Sequence, residues 1–209
     1  MLPAVVHADP ILVTGGSTSG SLSFNPSFVS LTGEGLRIAG EGYSSTSGGP
    51  GQVGTTATLD GTFSFATISG ALAQMADGFT GPALLDGGLT FTTQPFVVQP
   101  RPGGSGETTF TVPFTMTGAI QGYAPSGPTG RDFGALLFSI DVFGNGTATQ
   151  TKTFNAATGF YSSVESPIVY AFAPAAPAAT PEPASLLLFG TGVAGMMLRR
   201  YRQGSKRPT

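Results

Sequence analysis

The chain has 209 residues, 40% hydrophobic and only 10% charged, with 32 Gly, 17 Pro, one His and no Cys. The missing Cys excludes disulfides, thiolate metal sites and a cysteine nucleophile, and the single His7, near the start, leaves the rest of the chain without the imidazole base of a Ser-His-Asp triad. The net charge of −2 hides a division: residues 9–183 hold eleven acids against four bases, net −7, and residues 184–209 hold five bases and no acid, so the acidic part carries no electrostatic footprint for nucleic acid.

Residues 1–8 end in Val6-His7-Ala8, a small-x-small pattern that suits signal-peptide cleavage before Asp9. The basic region and most of the apolar region of a secretory signal do not precede it. The expectation is that residues 1–8 are the remnant of a clipped signal.

Residues 9–172 follow period two rather than 3.6. Short strands are expected at Phe28–Thr32, Leu36–Ala39, Thr55–Leu59, Thr62–Ile68 and Leu89–Thr93. The clearest alternation is Phe110, Val112, Phe114 and Met116 against Thr111, Pro113, Thr115 and Thr117, with Pro113 marking an edge or a bulge. Leu136–Phe143, residues 147–154 and Ile168–Phe172 complete about nine strands. Asp60-Gly61 and Asn145-Gly146 read as tight hairpin turns, and Asp86-Gly87-Gly88 as a third. Residues 40–51, 100–107 and 122–131 read as Gly/Pro/Ser loops, and residues 70–77 as the one short helix. The predicted body is an antiparallel β-sandwich, with a jelly roll as the alternative.

The end of the chain has four parts. Residues 173–180 form a Pro/Ala spacer, and Pro181-Glu182-Pro183 holds one carboxylate in a stiff, extended backbone. Then fifteen residues run without a charge: Ala184, Ser185, Leu186, Leu187, Leu188, Phe189, Gly190, Thr191, Gly192, Val193, Ala194, Gly195, Met196, Met197 and Leu198. As a helix they reach about 22 Å, short of the roughly 30 Å hydrocarbon core. Arg199, Arg200 and Arg202 then act as a basic stop; their long side chains can snorkel, and positive residues stay on the cytoplasmic side. The expected segments are a linker at 173–183, a membrane-spanning sorting helix at 184–198 and a basic cytoplasmic tail at 199–209.

This order of Pro-Glu-Pro, apolar run and arginine cluster, over residues 180–203, resembles the PEP-CTERM sorting signal, a tail also labelled an ice-binding protein C-terminal domain. The resemblance implies an exported bacterial protein. It implies that an exosortase, a membrane transpeptidase, recognises Pro181, Glu182 and Pro183, with the tail held in inner-membrane lipid until it is removed. It further implies a host that makes exopolysaccharide, with the mature protein released or attached to the envelope.

The residues of the body give little sign of catalysis. No G-x-S-x-G, P-loop, dinucleotide fingerprint or His-rich metal spacing is present. Nine carboxylates remain, and a glycosidase needs only two. Asp60, Asp77 and Asp86 each precede Gly and read as turn residues, and Asp141 as a solvated strand residue. Arg131-Asp132 reads as a surface ion pair and Tyr43, Tyr123 and Tyr161 as core aromatics, although each could serve a sugar ligand. The threonine rows at 111–117 and 147–153 read as ordinary solvent-facing strand residues. No catalytic residue, metal or cofactor is assigned. The expected role is non-catalytic: structural or interactive, with exopolysaccharide as partner. A carbohydrate-binding module is the alternative, and a carboxylate-based hydrolase or lyase the more distant one.

Overall fold

A computed structural model describes residues 10–20, 26–65, 72–76, 83–162 and 166–173. The chain divides into two compact units, residues 1–174 and 175–209. The expected signal remnant, linker, sorting helix and basic tail fall outside the described residues, except Ala173.

Among the described residues the first unit is built of strands. They are β1 (Ile11–Gly20), β2 (Pro26–Gly33), β3 (Leu36–Gly48), β4 (Thr56–Ala57), β5 (Leu59–Phe65), β6 (Leu72–Ala76), β7 (Leu84–Thr93), β8 (Phe96–Val97), β9 (Gly106–Ser126), β10 (Asp132–Asn155), β11 (Phe160–Tyr161) and β12 (Ile168–Phe172). The all-β expectation therefore holds. The arrangement is one large, mainly antiparallel sheet in the order β11-β10-β12-β1-β2-β3-β5-β7-β9, with β6 on β3 and a separate two-strand β4–β8 sheet. β9 pairs back onto β10 along nearly its whole length, from Gly106↔Phe154 to Ser126↔Asp132. The ladders thus close into a ring, in which the parallel β1–β10 pairing, Ile11↔Val142 to Val13↔Gly144, is the seam. Closure removes most of the open edges that a two-sheet sandwich would keep.

Period-two burial explains why these residues form strands. In β3 the pattern from Leu36 to Ser44 alternates with almost no break, and Leu36, Ile38, Gly42 and Ser44 face inward. The interior holds Val13, Leu31, Ile38, Leu59, Phe63, Leu89, Met116, Ile120, Phe138 and Ile140, all essentially buried. An aromatic knot ties three strands together: Phe91 of β7 stacks on Tyr170 of β12 at 4.2 Å, and Phe114 of β9 meets Tyr170 edge-on at 5.4 Å and Phe172 at 5.3 Å. Each such pair adds about 0.5–1.5 kcal/mol beyond the burial itself. A second, smaller core of Ala57, Val98, Phe154 and Tyr161 lies where the β9–β10 ribbon runs past the β7 ladder. Pro113 sits one residue beyond the last β7 pair, Thr93↔Phe114, where no β7 acceptor needs a backbone donor.

Several expected turns lie inside strands. Asp60-Gly61 is part of β5, opposite Ser47 and Thr46 of β3. Asn145-Gly146 is part of β10, which runs unbroken from 132 to 155. Asp86-Gly87-Gly88 is part of β7, with positive φ confined to Gly87. The physical reason is steric. A Cβ at Gly61 would overlap Tyr170 Oη, one at Gly146 would overlap the Ala171 carbonyl, and one at Gly122 would overlap the Phe138 ring. These glycines make room for neighbours rather than for a reversal of the chain. Two expected loops were also drawn too wide: β3 continues to Gly48, and β9 to Ser126. The short helix expected at 70–77 is in part β6, because Leu72–Ala76 completes the ladder beside Leu36–Ala39 of β3. Pairing to an available strand outweighs the intrinsic helix preference of Ala, Leu and Gln, which tertiary context readily overrides.

Candidate functional site

The alternation that buries one face of each strand leaves the other face wet, and register decides what is gathered there. Ser45 of β3 faces Thr62 of β5, Thr62 faces Thr90 of β7, Thr90 faces Thr117 of β9, and Thr117 faces Phe143 of β10. Ser45 Oγ and Thr62 Oγ1 are 2.9 Å apart. A second row sets Thr92 against Thr115, and further along the β9–β10 ribbon Thr111 faces Thr149 and Thr109 faces Thr151, the last pair 2.9 Å apart. Neighbouring strands lie about 4.8 Å apart, so the outer face carries a lateral grid of hydroxyls. A depression of about 350 Å³ opens on this face, lined by Ser45, Ser47, Asp60, Thr62, Thr90 and Thr92 among others.

Asp60 has a part that a turn residue would not have. Its Oδ1 accepts from the Thr93 N–H at 2.7 Å and the Thr93 hydroxyl at 2.9 Å, while Thr93 Oγ1 accepts from the Leu59 N–H at 2.8 Å. These side-chain bonds take over where the β5–β7 ladder stops, at Gly61↔Phe91. Burial, with a smaller contribution from the Asp60 charge, raises the pKa of Tyr170, whose hydroxyl donates to the Leu59 carbonyl at 2.8 Å.

The three tyrosines separate. Tyr161 is core, 4% exposed, with its hydroxyl on the Gln99 carbonyl at 2.8 Å. Tyr123 is half-buried, donates to Gln121 Oε1 at 2.7 Å and packs against Phe133 at 4.8 Å. Tyr43 is 41% exposed and points to the wet face of β3. On the adjacent β2, Phe28 is 55% exposed and faces Glu41, which places it diagonal to Tyr43. Residues so placed are about 7–8 Å apart across a sheet. Phe28 was legible in the sequence as an outward strand residue, because Val29 and Leu31 bracket the inward face. Its proximity to Tyr43 depends on the β2–β3 register.

Asp86, Asp132 and Asp141 are exposed strand residues, and Arg131 is exposed at the end of the 127–131 turn. Asp77 and Glu165 lie outside the described residues. Among the described residues no group of three or more His, Cys, Asp or Glu could hold a metal ion. The sorting residues Pro181, Glu182 and Pro183, the run 184–198, and Arg199, Arg200 and Arg202 lie outside the described residues. Among those that are described, no helix is long and apolar enough to cross a membrane.

Residues 179–203 match the PEP-CTERM protein-sorting motif, which contains the Pro-Glu-Pro sequence, the apolar run and the arginines. Neither a curated protein nor a solved structure matches the chain. The motif marks an exported protein that is held transiently in a membrane and then processed by an exosortase, a membrane enzyme.

Proposed function

We propose that this protein is a non-catalytic component of the bacterial envelope or extracellular matrix, sorted by its tail and interacting with exopolysaccharide through its β body. The observation that carries the reading is the sorting motif at residues 179–203. The body supports it through its surface chemistry. The outer face offers many neutral hydroxyls and few charges, which suits contact with a hydrated polyol better than with a polyanion. The carboxylates support the non-catalytic reading because each one described has an ordinary setting. Asp60 closes a ladder, while Glu34, Glu41, Asp86, Glu107, Asp132 and Asp141 stand exposed on strands and turns.

Mass spectrometry of the protein from its own host tests the sorting. The expected C-terminus lies near Pro181-Glu182-Pro183. A protein intact to Thr209 in cells with an active exosortase would overturn the proposal. Glu182→Gln should leave uncleaved protein in the membrane fraction without changing the thermal unfolding of the body.

A specific observation also favours the carbohydrate-binding form of this role. Tyr43 and Phe28 are aromatic, exposed and adjacent on a face that continues into a row of hydroxyls at Ser45, Thr62 and Thr90.

A further inference from the structure

We propose that the outer face of β2, β3, β5 and β7 is a binding site for a neutral polysaccharide strand. In this site Phe28 and Tyr43 stack on sugar faces, and Ser45, Thr62, Thr90 and Asp60 take the sugar hydroxyls. The inference rests on the polysaccharide role proposed above and deepens it by naming the surface and the class of ligand.

Four observations converge. First, Phe28 and Tyr43 keep 55% and 41% of their surface in water although both strands have inward positions filled by apolar residues. Single exposed aromatics are common, but two on one diagonal form a platform. A pyranose has an apolar face of C–H groups that matches an aromatic face, and a polar rim that needs hydrogen bonds.

Second, the rim has partners. The row Ser45–Thr62–Thr90 begins on the same strand and face as Tyr43, two residues further along β3. Hydroxyls both donate and accept, so the row can meet sugar hydroxyls in either sense. Third, the depression of about 350 Å³ lies over this row and gives the strand somewhere to sit. Fourth, Asp60 projects into that depression with Oδ1 engaged by Thr93. Its other oxygen faces no partner among the described residues and can accept from a pair of sugar hydroxyls. The acids Asp60 and Glu41 outnumber the one base on the outward face of β3, Arg37, and so disfavour a polyanionic glycan and favour an uncharged one.

The test uses the full chain in mild detergent, run by affinity electrophoresis in gels containing cellulose derivatives, xylan, mannan or dextran, with alginate as the anionic comparison. Retardation is expected with at least one neutral polymer. Tyr43→Ala and Phe28→Ala should each weaken it by about fivefold to tenfold, and Thr62→Val with Thr90→Val should weaken it further. Tyr43→Phe should keep most of the affinity, because the ring rather than the phenol is the platform. Phe160→Ala removes an aromatic that is 46% exposed on β11, which pairs with β10 rather than with β2, β3, β5 or β7, and should change nothing. Unfolding curves of each variant separate loss of binding from loss of fold.

Undiminished retardation of a folded Phe28→Ala/Tyr43→Ala double variant would overturn the site while leaving the polysaccharide role standing. Retardation by alginate alone, or equal weakening by Phe160→Ala, would overturn the site as well. No retardation by any neutral polymer, together with no retention on exopolysaccharide from the host, would overturn both the site and the role.

Discussion

Gly61→Ala offers a sharp test of the ring architecture, because close packing ties its cost to the Tyr170 hydroxyl, whereas a turn glycine would lose only backbone freedom and its cost would not depend on Tyr170. If Asp60-Gly61 reversed the chain, Gly61 would be needed only for its backbone freedom, and Asn would serve nearly as well. In the closed sheet Gly61 is a strand residue facing inward. A Cβ there overlaps Tyr170 Oη and comes to 3.2 Å from Tyr170 Cζ and 3.1 Å from the Ser45 carbonyl oxygen. Tyr170 has little freedom to yield. It is 1% exposed, holds the Leu59 carbonyl at 2.8 Å and stacks on Phe91 at 4.2 Å. Moving it costs the net hydrogen bond, about 1 kcal/mol, and overpacking strain of about 1–3 kcal/mol. The expected loss is about 3 kcal/mol. For a unit of this size, each kcal/mol lowers Tm by roughly 2–4 °C, so a fall of roughly 6–12 °C should be seen by far-UV circular dichroism. In the Gly61→Ala/Tyr170→Phe double variant the overlapping oxygen is gone, and the losses should be less than additive. A Gly61→Ala protein within about 0.5 kcal/mol of the parent, or fully additive losses in the double variant, would refute the packing argument.

Two further predictions concern charged side chains. Lys152 is buried, donates to the Ser162 carbonyl at 3.3 Å, and has its pKa lowered by desolvation. At neutral pH both folded and unfolded chains carry its charge, and the fold bears the full cost of desolvating it. Between the lowered folded value and the ordinary 10.5 the folded state sheds its proton first, so stability rises with pH across that window. Lys152→Met should therefore be at least as stable as the parent at pH 7, by up to about 1 kcal/mol, with the advantage shrinking towards pH 10. Urea titrations at both pH values check this, and an advantage that grows with pH would contradict it. Arg101 wraps the 102–106 loop, donating from Nε to the Glu107 carbonyl at 2.9 Å and from Nη1 towards the carbonyls of Pro102, Gly104 and Ser105 at 3.3–3.4 Å. Arg101→Ala should speed amide exchange in residues 103–106 and cost about 1 kcal/mol; unchanged exchange would show that the loop holds itself.

The sequence made the strands legible where burial is one-sided. Phe110 to Met116 and Leu136 to Val142 alternate because one face meets the core and the other meets water, and that demand is written residue by residue. The dipeptides Asp60-Gly61 and Asn145-Gly146 misled because Gly serves two purposes. It permits a reversal, and it also clears space for Tyr170 Oη or the Ala171 carbonyl; only the second partner, more than a hundred residues away for Gly61 and 25 for Gly146, tells which. The sorting motif was fully legible, since a linear signal read by an enzyme must reside in consecutive residues. The hydroxyl grid was not. Thr62, Thr90 and Thr117 sit 27 or 28 residues apart, and nothing short of the β5–β7–β9 register aligns them. Tyr43 could be named as a sugar platform but not separated from Tyr161, because burial of an aromatic depends on which strand covers it.

The seam of the ring has a consequence for how the protein is made. β10 is completed on one side by β1, from the beginning of the chain, and by β12, which ends at Phe172. A polypeptide crossing a membrane beginning with its amino terminus delivers β1 first and leaves it without two of its neighbours until nearly the whole body has crossed. Pairings between such distant stretches form slowly, which keeps the translocating chain loose enough to thread. The last ladder becomes possible only once Phe172, nine residues before Pro181, has crossed, so the ring closes late in export.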